Sequence, residues 1–93
     1  MEATAAHKLP EINREQAECM RVWINARDGI FGAGFVGSNA QLDYQDASAA
    51  LSALCKCGLL QEINWENLVF ARRYQLTANG KVWMDLYAIG DPA

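Results

Sequence analysis

Few side chains in this 93-residue chain have the types and spacing that support covalent or metal chemistry. The single histidine, His7, stands alone near the N-terminus. Of the three cysteines, Cys19, Cys55 and Cys57, the last two are separated by one residue. That is not the spacing of a zinc knuckle, and no second pair follows. An odd number of cysteines without regular spacing is also a poor disulfide framework, so they read as reduced thiols packed as small apolar groups. Lys56 lies between Cys55 and Cys57, but adjacent side chains on a helix point apart, so it does not activate either thiol. Asp43 and Asp46 are one helical turn apart, and helix capping accounts for them. No nucleophile, acid–base pair or ligand set emerges, so the chain reads as non-catalytic, with no metal and no cofactor.

Gly29, Gly32, Gly34 and Gly37 fall within nine positions, interleaved with Ile30, Phe31, Phe35 and Val36. A phosphate-cradling loop needs a preceding strand and a long helix opening at its last glycine. Neither pattern is present, and the segment reads as a tight connector pinned by aromatics.

Binding is the remaining class of activity, and its candidates lie further along. Gln45, Ser48, Ala49, Ser52 and Lys56 share the polar side of one helical pattern, and Arg72 and Arg73 follow on a strand pattern. Composition bounds what they can do. With 52% apolar and 20% charged residues the chain has material for one core and is not disordered. Its net charge is −3 and its pI about 4.9, so it has no global attraction for a polyanion. Nucleic-acid binding must therefore come from a local basic patch. Met1 to Pro10 has no apolar run that would read as a secretion signal, and no stretch approaches a membrane span. The expected location is the cytoplasm.

The elements that position these residues follow from spacing. Residues 1–11 read as a flexible arm and 12–90 as one domain. Asn13 caps a first helix with Gln16 in the reciprocal position, and Ile12 and Ala17 form a staple. The helix carries Cys19, Met20, Trp23, Ile24 and Ala26 and ends at Asp28-Gly29, with glycine in the left-handed cap. A short helix spans about 38–42, capped by Ser38. The strongest signal is 43–58: Ala47, Ala50, Leu51, Leu54 and Cys55 form one stripe, Asp43 or Asp46 caps it and Gly58 ends it. Strands are expected over 59–65 and 68–76, reversing at Glu66-Asn67. Thr77 caps a last helix to about Ile89, with inner stripe Ala78, Val82, Leu86 and Ile89 and a second stripe of Trp83 and Tyr87.

This order resembles a winged helix-turn-helix domain of the α+β class: three helices, a two-stranded β wing and a C-terminal helix. The residues that carry the resemblance are Ala47 to Leu54, then Gly58-Leu59-Leu60-Gln61-Glu62, then Tyr74-Gln75-Leu76-Thr77-Ala78-Asn79-Gly80-Lys81. In bacterial MarR-like and PadR-like regulators a third helix leads into G-L-[LV]-x-[ER], and the wing returns as Y-x-L-T-x-x-G-[KR]. The resemblance covers about residues 43–88. It implies a DNA-binding transcription regulator in which Lys56, Arg72 and Arg73 contact phosphate and Gln45, Ser48 and Ser52 face base edges. The chain departs from the pattern in its few basic residues. A homodimer would double them, with Met20, Trp83 and Tyr87 expected at its interface and Trp65 at the wing tip. The alternative is an acidic winged-helix module that binds protein, such as a phage-type inhibitor of a nucleic-acid-processing complex; net charge, Trp65 beside Glu66 and the stripe of Trp83 and Tyr87 motivate it.

Overall fold

Asn13 starts the first helix by a reciprocal cap. Its Oδ1 accepts from the Gln16 amide at 2.8 Å, and the Gln16 side chain accepts from the Asn13 amide at 3.0 Å. The computed structural model describes residues 9–64 and 72–88, and packing against the core begins at Leu9. Helix α1 spans Arg14–Arg21 and buries Cys19 and Met20. The chain then tightens into a 3-10 turn over Val22–Asn25 instead of continuing as α-helix to Asp28. The cause is Trp23: it is fully enclosed, and its indole N–H donates to the Gly29 carbonyl at 2.9 Å, which folds the following loop back. Gly29 does not take a left-handed cap conformation. A side chain there would instead strike the Phe31 ring, since a Cβ would lie 2.5 Å from its Cζ.

The glycine-rich segment is where the structure departs most from expectation. Phe31 pairs with Tyr74 as a single antiparallel bridge, its amide and carbonyl both bonded at 3.0 and 2.8 Å. Helix α2 then spans Ala33–Ala40, not 38–42, and Gly32 rather than Ser38 is its N-cap. Ala33, Val36 and Gly37 supply the buried i, i+3, i+4 set, a helical period hidden by poor helix formers. The helix closes on Gln41, a non-glycine residue in the left-handed region (φ 62°). Replacing Gln41 with glycine is expected to raise stability by about 0.5–1 kcal/mol, because the strain of that conformation outweighs glycine's added chain entropy. A urea titration checks the sign; a lower midpoint would show that the Gln41 side chain matters more than its backbone.

Helix α3 spans Tyr44–Lys56, and Asp43 caps it by accepting from the Asp46 amide at 2.8 Å. Ala47, Ala50, Leu51 and Leu54 are buried, and Cys55 packs half-buried beside them. Gly58, at φ +89°, makes the reversal into the sheet.

Strands β1 (Leu60–Asn64) and β2 (Arg72–Leu76) are antiparallel, with Leu60 opposite Leu76 and Asn64 opposite Arg72. A two-residue reversal at Glu66-Asn67 would have paired Asn64 with Val69; those turn residues, with Leu68 to Ala71, lie outside the described residues. The observed register puts Leu60, Tyr74 and Leu76 on one face, and all three are buried. The register of the expected reversal would have set Leu60 against Arg73, mixing core and solvent faces.

Helix α4 spans Ala78–Trp83 and winds on as a π-helical turn over Met84–Ala88. Thr77 caps it, accepting from the Gly80 amide at 3.0 Å while its hydroxyl donates to the Gly58 carbonyl. Its inner face is Gly80, Trp83 and Met84, all buried. Ala78, Val82 and Leu86, expected inside, are exposed, and Ile89 lies outside the described residues. The contact at Gly80 fixes this rotation, because only glycine fits against the Leu59 carbonyl. Two ion pairs tie α4 and its π-helical turn to the loop after α1: half-buried Arg27 to Asp85 and Lys81 to Asp28, both at 2.8 Å.

The fold is therefore α+β: α1 to α3, a two-stranded wing and a C-terminal helix, arranged as a winged helix. Among the described residues, no helix is long and apolar enough to cross a membrane.

Candidate nucleic-acid interface

With its apolar stripe committed to the core, α3 turns its polar side outward beside the wing. Gln45, Ser52 and Lys56 are exposed there, and Ser48 is half-buried. The strands bring Arg72 and Arg73 to the same region: both arginines, Ser48 and Ser52 line one groove of about 510 Å³. Its walls come from Ile30 to Phe35 at the start of α2, Tyr44 on α3, and Glu62 and Tyr74 on the sheet. Gln45 and Lys56 lie outside that lining.

The charge balance is mixed. Glu62 and Arg72 are diagonal neighbours on the sheet face that carries Tyr74, and they pair at 3.2 Å. Arg72 therefore has its charge partly answered before any ligand arrives. Arg73 lies against Gly32 and donates one N–H to its neighbour's carbonyl, that of Arg72, at 2.9 Å. Neither Arg73 nor Lys56 makes an ion pair among the described residues. Asp43 and Asp46 sit at the start of α3, where their negative charge suits the helix dipole and would repel a phosphate.

The residues expected at a protein interface fare differently. Met20 is fully enclosed between α1 and the rest of the core, and Trp83 is 6% exposed, so neither is offered at the surface. Met20 lies on the apolar stripe expected of the first helix, and that stripe is buried. Trp83, expected on a second stripe beside the inner one, faces inward because the contact at Gly80 sets the rotation of α4. Tyr87 is exposed and packs on the Trp83 ring at 5.4 Å. Trp65 lies outside the described residues.

Burial pushes the Cys19 thiol up to about 11, helped by the nearby carboxylates of Glu15 and Glu18. Burial also pushes Cys55 to about 11, with Glu62 adding to the effect. Both thiols therefore stay protonated near neutrality, which opposes nucleophilic or redox chemistry at these positions. Tyr74 is likewise raised, first by burial and then by Glu62. The described residues contain no group of three His, Cys, Asp or Glu side chains placed to hold a metal ion.

Two lining residues escaped the sequence reading. Tyr44 falls four and eight residues before Ser48 and Ser52, so helical spacing alone could have placed it on their side. Glu62 is reached only through the register, which the seven residues between the strands obscure.

No protein-family model matches the chain, and no curated protein matches it. Among solved structures, a possible transcriptional regulator from Methanosarcina mazei Go1 is similar, with a TM-score of 0.61 and 13% identity. The alignment covers 86% of this chain and 66% of that one. The likeness is one of fold. It agrees with the winged-helix architecture built above from caps, register and burial.

Proposed function

We propose that this protein is a non-catalytic, DNA-binding transcription regulator of the cytoplasm that meets duplex DNA with the outer side of α3 and the adjoining wing. The observation that carries this reading is the exposed polar side of α3. Gln45 and Ser52 offer donors and acceptors to base edges, and Ser48 does so from the rim of the groove. Lys56 and Arg73 supply phosphate contacts, and Arg72 does so once released from Glu62. The similar structure from Methanosarcina mazei Go1 is described as a possible transcriptional regulator, which supports the same reading.

Lys56 and Arg73, the two cations at this face without an ion pair among the described residues, set the scale of the salt dependence. Each phosphate contact contributes about −0.9 to the slope of log affinity against log salt, so a protomer is expected near −2 and a dimer near −4. Lys56→Gln should make that slope shallower by about 1 per protomer and weaken all duplex sequences alike. Fluorescence polarisation with genomic fragments at low salt measures both. Absence of duplex binding at micromolar protein would remove the proposal.

A homodimer belongs to this reading, since it doubles the cations. Val82, Leu86 and Tyr87 are exposed on α4 beside a groove lined by Leu9, Ile12 and Ala17. Light scattering on Tyr87→Ala tests that surface.

The second reading, an acidic protein-binding module, is favoured by Glu62 lying beside the arginines in the groove and by Asp43 and Asp46 at the start of α3. It predicts a stoichiometric protein partner and no salt-dependent DNA binding.

A further inference from the structure

An aromatic ladder runs from the core to the surface of the groove. Trp23 is fully buried, and its ring meets Phe31 at 5.3 Å. Phe31 is half-buried and stacks on Phe35 at 4.8 Å with planes 25° apart. Phe35 is 52% exposed, and Tyr44, on the α3 side of the same groove, is 62% exposed. Both rings border the groove and keep much of their surface open. Phe35 is nevertheless ordered by the ring beneath it, so a planar group could stack there with little further loss of entropy.

Polar groups surround these rings. Arg73 uses one of its five N–H donors on the Arg72 carbonyl, leaving others for an anion. Ser48 and Ser52 offer hydroxyls, and Glu62 keeps one carboxylate oxygen beyond its contact with Arg72. Gly34 also lines the groove, and a Cβ placed on it would meet nothing within 4 Å. The volume of about 510 Å³ lies in the ~300–1,000 Å³ range of sites for small organic groups.

We propose that this groove takes one unstacked nucleobase with its attached phosphate: the base stacks on Phe35 and Tyr44, and the phosphate is held by Arg73. The assignment rests on the nucleic-acid reading above and adds to it a preference for unpaired strands. Alternating base stacking with a cation suits any single strand, because every base has a π face. The same base and phosphate are found in a free nucleotide, so the test separates the two sources.

The experiment is fluorescence polarisation of the full chain with a labelled twelve-residue oligothymidylate, with a duplex of the same length and with thymidine monophosphate as competitor. Phe35→Ala and Tyr44→Ala should each weaken the single strand between about 5-fold and 100-fold, whereas Tyr44→Phe should retain binding. Gly34→Leu should fill the groove and give a comparable loss. This variant has open space around it and a better helix former in place of glycine, so circular dichroism should show an intact fold. Competition by the monophosphate at micromolar levels would assign the site to free nucleotides, and its failure to compete would assign the site to strands. Single-strand affinity unchanged within 2-fold in Phe35→Ala and Gly34→Leu overturns the proposal. Duplex binding without single-strand binding overturns it too, while leaving the function proposed above intact. Failure of both probes removes both.

Discussion

Gly80→Ala is expected to cost at least about 3 kcal/mol, against a total of ~5–14 kcal/mol for a domain of this length. Helix propensity predicts the opposite sign, since alanine in a helix is favoured over glycine by about 0.5–1 kcal/mol. Packing decides the matter. A Cβ at residue 80 would lie 2.1 Å from the Leu59 carbonyl oxygen and 3.0 Å from the Leu76 side chain. The oxygen is backbone and cannot rotate away, and the Thr77 amide already holds it at 3.1 Å. Relief therefore requires α4 to lift from the base of the wing, opening the contacts of Trp83 and Met84 with the core. Urea unfolding should show a midpoint far below that of the parent chain, and Gly80→Ser should behave similarly. A neutral or raised midpoint would mean that α4 does not sit against Leu59 as described.

This contact also shows where the sequence was legible and where it was not. Caps were legible because they act between residues three apart: Asn13 with Gln16 and Thr77 were placed outright, and the α3 cap was narrowed to Asp43 or Asp46, of which Asp43 is the cap. The stripe of α3 was legible because it is long and uninterrupted. The order of helices and strands followed from these, and with it the exposure of Gln45, Ser52 and Lys56. The phase of α4 was not legible. Ala78, Val82 and Leu86 are as apolar as the residues that face inward, and only the approach of Leu59 to Gly80 selects between the two faces. The glycine-rich segment failed for a related reason: α2 is a helix that its own sequence disfavours, held by burial of Ala33 and Val36 and by the Phe31–Tyr74 bridge. Arg72 could be placed on its strand face, but its pairing with Glu62 depends on a register set across seven intervening residues.

The electrostatics of the candidate face follow from the same long-range contacts. Among the described cations, Arg27 and Lys81 are committed to Asp85 and Asp28 on the side of α4. A hydrogen bond from Lys81 holds the Asp28 carboxyl below its ordinary range. The exposed Lys81–Asp28 pair contributes little to stability, and Arg27 is half-buried with a further bond to the Lys81 carbonyl. Together the pairs take two of the eight basic residues out of reach of a polyanion on the α3 side. What remains near the groove is too sparse for strong duplex binding by a monomer, and it coexists with open aromatic rings. On the proposed reading, stacking rather than phosphate charge alone would then be the larger source of affinity at this face.

Trp23→Ala carries the second large effect, and it connects the core to that face. Removing a fully enclosed indole is expected to cost about 3–5 kcal/mol through lost burial and the cavity left behind. The Gly29 carbonyl also loses its donor. Trp23→Phe separates the two contributions: it restores most of the ring volume but leaves that carbonyl unpaired, at a cost of about 1–3 kcal/mol. The consequence reaches the groove because Phe31 rests on Trp23 and Phe35 rests on Phe31. With the lowest ring gone, Phe31 can sink toward the cavity, pulling on the bridge in which its amide bonds the Tyr74 carbonyl at 3.0 Å. Exchange of the Phe31 amide should then quicken more than exchange at Leu51 or Leu54, which lie in the body of α3. Equal acceleration at all three sites would show only global destabilisation, whereas selective loss at Phe31 would show that the groove wall is held in place from the core outward.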